Sequence, residues 1–340
     1  MGSPLAWVLF NVVILALLAL DLGVFHRRAH AVSIREAAGW SAFWVALSLL
    51  FNLGIYLLVG RDEALEFLTG YLIEKSLAVD NLFVFVLIFS YFGVPAAYQH
   101  RVLFWGILGA LVMRAAFILA GSYMLQHYDW VFYVFGALLV ITGIRMAVRD
   151  EDAIDPSQSR VLRIARKVLP VTVGFRGTHF FVRENGRILA TPLLLVLILI
   201  EFSDLIFAVD SIPAIFAITL DPFIVYTSNV FAILGLRSMY FLLAGIIHRF
   251  VYLRYALAFV LVFVGVKMLL EDVVHIPILV SLGVIAAALV VGVLVSLRAS
   301  EEQREDVLPE PPPVPGEPLA EAAEPGADSL PGGDDRDSHG

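Results

Sequence analysis

Glu74-Lys-Ser-Leu-Ala-Val-Asp80-Asn81 and Asp204-Leu-Ile-Phe-Ala-Val-Asp210-Ser211 read almost alike, 130 residues apart, and each sets two carboxylates inside an apolar run long enough to span a bilayer. An ionisable side chain at bilayer depth costs at least about 2.5 to 3.5 kcal/mol on insertion scales, so four of them in a repeated pattern point to a use. The two stretches predict an all-α membrane protein with acid groups in its middle and a duplicated bundle around them.

Working outward, the composition agrees. Of 340 residues, 60% are hydrophobic and 16% charged, with a mean hydropathy of +0.86, more apolar surface than a soluble domain of this length can bury. The net charge of −8 is uneven: residues 301–340 hold twelve Asp and Glu against Arg304 and Arg336, −10 in all, which leaves +2 for residues 1–300. That tail also holds eight of the sixteen prolines, so 299–340 is expected to be a disordered, acidic, Pro-rich extension. Cysteine is absent, which excludes disulfides, thiolate metal sites and thiol nucleophiles and leaves oxygen and imidazole as the strong ligand types. Residues 5–25 are expected to form the first span, not a cleaved signal, because no basic segment precedes them and no small-residue cleavage site comes before His26-Arg27-Arg28.

At about 20 residues per span, nine transmembrane helices are expected near 5–25, 41–59, 65–91, 102–122, 129–148, 191–217, 222–246, 253–270 and 276–297. Lys and Arg crowd the 26–40, 149–190 and 247–254 connections, whereas the alternate ones contain only Arg61. The positive-inside rule then puts the N-terminus outside and the tail in the cytoplasm. Ile107-Leu108-Gly109 recurs as Ile233-Leu234-Gly235, and Thr142-Gly-Ile-Arg145-Met146 recurs as Val264-Gly-Val-Lys267-Met268. Three helices thus match three in order with opposite orientation, an inverted 3+3 repeat of the kind that builds a transporter site at its midplane. The organisation expected is two peripheral helices in 1–60, a first repeat in 61–148, a cytoplasmic loop in 149–190, a second repeat in 191–272 and a final helix in 273–298. Within the loop, β-prone runs flank Asn185-Gly186, a hairpin signal. Its basic residues read as topology determinants and not as a nucleic-acid site.

On a straight helix a spacing of six turns a side chain by about 240°, so Glu74 and Asp80, or Asp204 and Asp210, converge only if the helix breaks. Pro213 offers a cause, since it removes the hydrogen bond to the Val209 carbonyl and would unwind the chain beside Asp210; Phe83 stands at the matching place in the first copy. Glu201 adds a fifth acid one turn before Asp204, and Asn81, Ser211, Ser228 and Asn229 add neutral oxygens. Such a set suits a hard divalent cation such as Mn2+, Mg2+ or Ca2+. The alternative is that the acids pair with Lys75, Arg114 and Arg237. Asp21 and Asn52 are secondary candidates.

These segments, with Thr227-Ser-Asn-Val-Phe-Ala-Ile-Leu-Gly-Leu-Arg-Ser-Met-Tyr240 and Asp21-Leu-Gly-Val-Phe-His26, resemble the signature motifs of the TerC/Alx family of integral membrane proteins, related to the LysE superfamily of exporters. The resemblance covers roughly residues 10–298. It implies a multi-pass protein of the bacterial inner membrane that exports Mn2+, connected with tellurium resistance and alkaline response, with the motif acids Asp80, Asp210, Asp204, Glu74 and Glu201 as metal ligands, to which the residues' own chemistry adds Asn81, Ser211 and Asn229. The residues alone imply a cation transporter with a hard-ligand site. Neither an enzyme nor a permanently bound cofactor is expected, the partners being the cation and the bilayer, and the metal, coupling ion and oligomeric state are left open. A LysE-like amino-acid exporter and a scaffold for stress-response partners are the other readings. An intramembrane aspartyl protease would carry Gly-x-Gly-Asp, which is missing before Asp80 and Asp210. Proton coupling is expected because a carboxylate at membrane depth can alternate between proton and metal.

Overall fold

The computed structural model of the chain describes residues 2–20, 33–148, 159–184, 186–244 and 252–305; Asp21, Asn185 and the tail from 306 lie outside them. In order come α1 (Pro4–Leu20), α2 (Ile34–Leu58), α3 (Arg61–Phe92), α4 (Ala96–His127), α5 (Trp130–Val148), α6 (Arg160–Val168), β1 (Phe181–Glu184), β2 (Arg187–Ala190), α7 (Pro192–Phe216), α8 (Pro222–Leu234), α9 (Leu236–Leu243), α10 (Leu253–Leu269) and α11 (Ile278–Glu305). The helix ends carry familiar signals. Ser33 accepts a hydrogen bond from the Glu36 amide at 3.3 Å, Asp221 accepts from Phe223 at 2.8 Å ahead of Pro222, and Gly93 in the left-handed region closes α3.

Among the described residues five helices, α2, α4, α5, α7 and α11, are long and apolar enough to cross a membrane, and α1 is a shorter apolar helix. The 32-residue α3 carries Glu74, Lys75 and Asp80 mid-length. The span expected at 222–246 divides at Gly235 into α8 and α9. The interior is apolar, as in a soluble bundle, but so is much of the exterior: Leu49, Leu50, Leu53 and Leu57 of α2 and Val290, Val291 and Leu294 of α11 are exposed. So much contiguous apolar surface has lipid, not water, as its natural solvent. In contrast, α8 is buried from Phe223 to Leu234 on every face. The molecule is an all-α, multi-pass membrane protein with α8 at its centre.

α3 packs on α7 and α8, α4 on α7 and α8, and α5 on α10. The α5–α10 seam is made by glycines. A Cβ at Gly143 would lie 2.8 Å from the Ala258 carbonyl oxygen, and one at Gly265 would lie 2.7 Å from that of Gly136, so the backbones approach as only small residues permit. Gly143 and Gly265 are the glycines shared by the similar segments that begin at Thr142 and Val264.

One expectation is corrected. α7 stays helical from Pro192 to Phe216 with Pro213 inside it, so nothing unwinds beside Asp210. Pro213 sits in the last turn, so the one bond it withholds, to the Val209 carbonyl, falls at the end of the helix and not in its middle, and its own carbonyl accepts from Ala217 at 3.1 Å.

Outside the bundle, β1 and β2 pair antiparallel, Phe181 opposite Ala190 and Glu184 opposite Arg187, with Gly186 at φ +78° in the turn. Arg101 of α4 ties this segment down, donating to Thr178 at 2.8 Å and lying 5.5 Å from the Phe180 ring centre.

Candidate functional site: a buried acid and amide cluster around Arg114

Seven residues on a helix turn by about 700°, close to two full turns, so Glu74 shares a face with Asn81, and Asp204 with Ser211. In continuous helices it is this spacing that counts. Both pairs face inward, with Arg114 of α4 and Asn229 of α8 between them. All six residues are at most 3% exposed.

Arg114 organises the cluster. Its Nε donates to Asp204 Oδ2 at 3.3 Å and its Nη2 to Asp204 Oδ1 at 3.1 Å, a side-on, two-pronged grip. Its Nη1 donates to Glu74 Oε1, to Ser211 Oγ at 3.3 Å and to Asn229 Oδ1 at 3.3 Å. Asn81 Nδ2 donates to Asp204 Oδ1 at 3.4 Å. Three polar atoms of the cluster are buried without a hydrogen-bond partner: Glu74 Oε2, Asn81 Oδ1 and Asn229 Nδ2. Unmet oxygens of this kind normally cost about 1 to 3 kcal/mol each, and here two are acceptors beside a carboxylate pair.

Five of the eight candidate ligands therefore gather here: Glu74, Asn81, Asp204, Ser211 and Asn229. The other three lie elsewhere. Asp210, half-buried, accepts from Thr142 of α5 at 3.0 Å, and Asp80 is half-buried on another face of α3 from Glu74. Glu201 puts its carboxylate against Gly109 of α4, in space that a Cβ would fill, one turn from Asp204. Asn52, on α2, keeps a buried Oδ1 without a hydrogen-bond partner. Among the described residues no three His, Asp or Glu side chains form a metal-holding group; the gathered oxygens are two carboxylates, two amides and a hydroxyl.

Of the candidate ion-pair partners, Arg114 holds both Glu74 and Asp204, and Lys75 does not join them. Lys75 Nζ donates to the Ala232 carbonyl at 3.2 Å, in the room left by Gly235. The two glycines of the recurring Ile-Leu-Gly motif thus have matching roles: Gly109 admits Glu201 from α7, and Gly235 admits Lys75 from α3. What raises Arg114 above the other buried cations is its reach to α3 and α7 at once. The sequence signal for it is an arginine midway along an apolar 32-residue helix whose other arginine, Arg101, lies near its start.

Residues 59–304 match the family described as integral membrane protein TerC. The chain is 56% identical over 299 residues to a membrane protein of Myxococcus xanthus, STKORF319, covering 88% of this chain and 94% of that one. It is 55% identical over 304 residues to Alx of Escherichia coli, named as a candidate membrane-bound redox modulator, covering 87% and 95%. A membrane protein of Rickettsia bellii is 42% identical over 293 residues, covering 86% and 97%. No solved structure matches. With a family match over most of its length and relatives this similar, the chain belongs to the TerC family of integral membrane proteins.

Proposed function

We propose that the protein exports a divalent metal cation, Mn2+ first among them, through the cluster that joins the two halves of the bundle. The observation that carries this reading is the convergence of Glu74, Asn81, Asp204, Ser211 and Asn229, from three helices, with two acceptor oxygens left unpaired. Hard oxygen donors of mixed charge suit Mn2+, Mg2+ and Ca2+. The nine-span, inverted-repeat architecture belongs to this proposal. It is supported by the packing pattern, in which first helices α3 and α7 meet, third helices α5 and α10 meet, and each first helix meets the other half's second helix, α3 on α8 and α4 on α7.

At the other end of α3, Glu66 accepts from Thr219 and lies within electrostatic reach of Glu63, Asp221 and Asp62. By the charge rule this is the outer side, and an acidic mouth there favours a cation's exit. Glu201, Asp210 and Asp80 are acids along the route. Glu201, one turn from Asp204, is placed to carry the counter-moving proton. The redox role in the Alx name would have to reach this chain without thiols, because it has no cysteine; altering cellular metal content needs none.

The test is Mn2+ flux in vesicles holding the purified protein, at several pH gradients. Wild type is expected to move Mn2+ in a gradient-dependent way, and Asp204→Asn and Glu74→Gln are expected to abolish movement while the protein remains folded in the membrane. Flux that persists unchanged in both variants removes the site, and wild type that moves no divalent cation removes the function. A flux blind to the gradient removes proton coupling alone.

A further inference from the structure

The two inward carboxylates already have a cation between them, and it is part of the chain. Arg114 occupies the position from which a bound cation would have to reach both Glu74 and Asp204, and it donates five hydrogen bonds to four residues there. A metal ion cannot use those same oxygen lone pairs while the guanidinium does. With both acids ionised, Arg114 leaves one negative charge uncompensated, whereas a dication in its place would leave none. The unpaired Glu74 Oε2 and Asn81 Oδ1 are then the oxygens free to make first contact with an arriving ion.

We propose that Arg114 is a tethered stand-in for the transported cation: it offsets one of the two carboxylate charges of the empty site, and the cargo displaces it on loading. The inference rests on the cation-export reading above and specifies how that site is regulated. A buried pair of carboxylates with no counter-charge would be costly to carry through the bilayer, so a carrier that must return empty benefits from an internal counter-ion. The cavity against Asp204, lined by Ile107, Ala110, Ile233 and Arg237 among others, holds about 10 Å3, room for roughly one water and not for a guanidinium. Displacement therefore requires α4 and α7 to part, which couples loading to the opening of the bundle.

The test uses full-length protein and Mn2+ alone as the probe. Two quantities are measured for wild type, Arg114→Gln and Arg114→Lys: Mn2+ affinity in detergent, and transport in vesicles as both net efflux and Mn2+-for-Mn2+ exchange. Removing the competitor should tighten Mn2+ binding by about tenfold or more, while net efflux falls and exchange persists, because exchange never returns an empty site. Arg114→Lys keeps a positive charge and so guards against simple misfolding; its single ammonium cannot reproduce the two-pronged grip on Asp204, and it too should bind Mn2+ more tightly than wild type. If folded Arg114→Lys binds Mn2+ no more tightly than wild type, or if exchange and net efflux fall together, Arg114 is a structural ion-pair partner and the inference fails while cation export stands. If wild type neither binds nor moves Mn2+, the export reading itself fails and takes the inference with it.

Discussion

At the residue scale, the chemistry hangs on a difference of one position in spacing. Glu74 and Asp80 are six apart and face different ways; Glu74 and Asn81 are seven apart and face together, as do Asp204 and Ser211. The segments were legible in the sequence, because charged residues in an apolar run stand out. The inward pairs were not, because Asn81 and Ser211 are neutral and the six-residue spacing of the acids brings them together only through a helix break, which α7 does not have. Stability measurements separate the two sets of acids. Arg114→Ala strands two buried carboxylates and should cost about 3 to 5 kcal/mol, seen as a marked fall in unfolding temperature in detergent. Asp210→Asn keeps an acceptor for Thr142 and should change stability by no more than about 1 kcal/mol. Equal losses in the two variants would mean that Arg114 is not the hub of a buried network.

At the element scale, glycines decide which helices touch. The α5–α10 seam depends on backbone approach at Gly136, Gly143 and Gly265, where an added Cβ would meet carbonyl oxygens at 3.1, 2.8 and 2.7 Å. Gly143→Val or Gly265→Val should push the helices apart and destabilise by about 1 to 3 kcal/mol. Gly54→Ala and Gly283→Ala, with nothing within 4 Å, should not; thermal unfolding of the four variants side by side checks this. Gly109→Ala tests a different use of glycine, since its methyl would take the place of Glu201's carboxylate. Export should fall and its dependence on the pH gradient should weaken if Glu201 carries the proton, and an unaltered gradient dependence would remove Glu201 from that role. The recurrence of these glycines was visible as a repeat. Their partners were not, because a motif names the residue that leaves space and says nothing of the side chain that fills it.

At the scale of the whole molecule, the charge asymmetry of the loops makes a prediction that the packing cannot make. The absence of native cysteine lets single cysteines report sidedness: one at Gln158 should resist an impermeant reagent in intact cells, and one at Asp129 should react with it. The reverse pattern would overturn the orientation. Truncation after Glu305, where α11 ends, removes the acidic, Pro-rich tail, whose composition predicts no independent fold. Insertion and flux should survive it, and a severe loss of flux at normal abundance would make the tail a regulatory or partner-binding element.

The sequence by itself determined the solvent, the helical class and the duplicated acidic segments, because hydropathy, period and charge are local properties that lipid reads one segment at a time. It also placed the small hairpin, through turn chemistry at Gly186. Only the tertiary structure decided that Arg114 binds Glu74 and Asp204 together, that Lys75 turns away to the Ala232 carbonyl, and that Asp210 belongs to Thr142. Those outcomes depend on which helix faces meet in three dimensions, and buried charges in a medium of low dielectric settle with whichever partner the packing brings within reach.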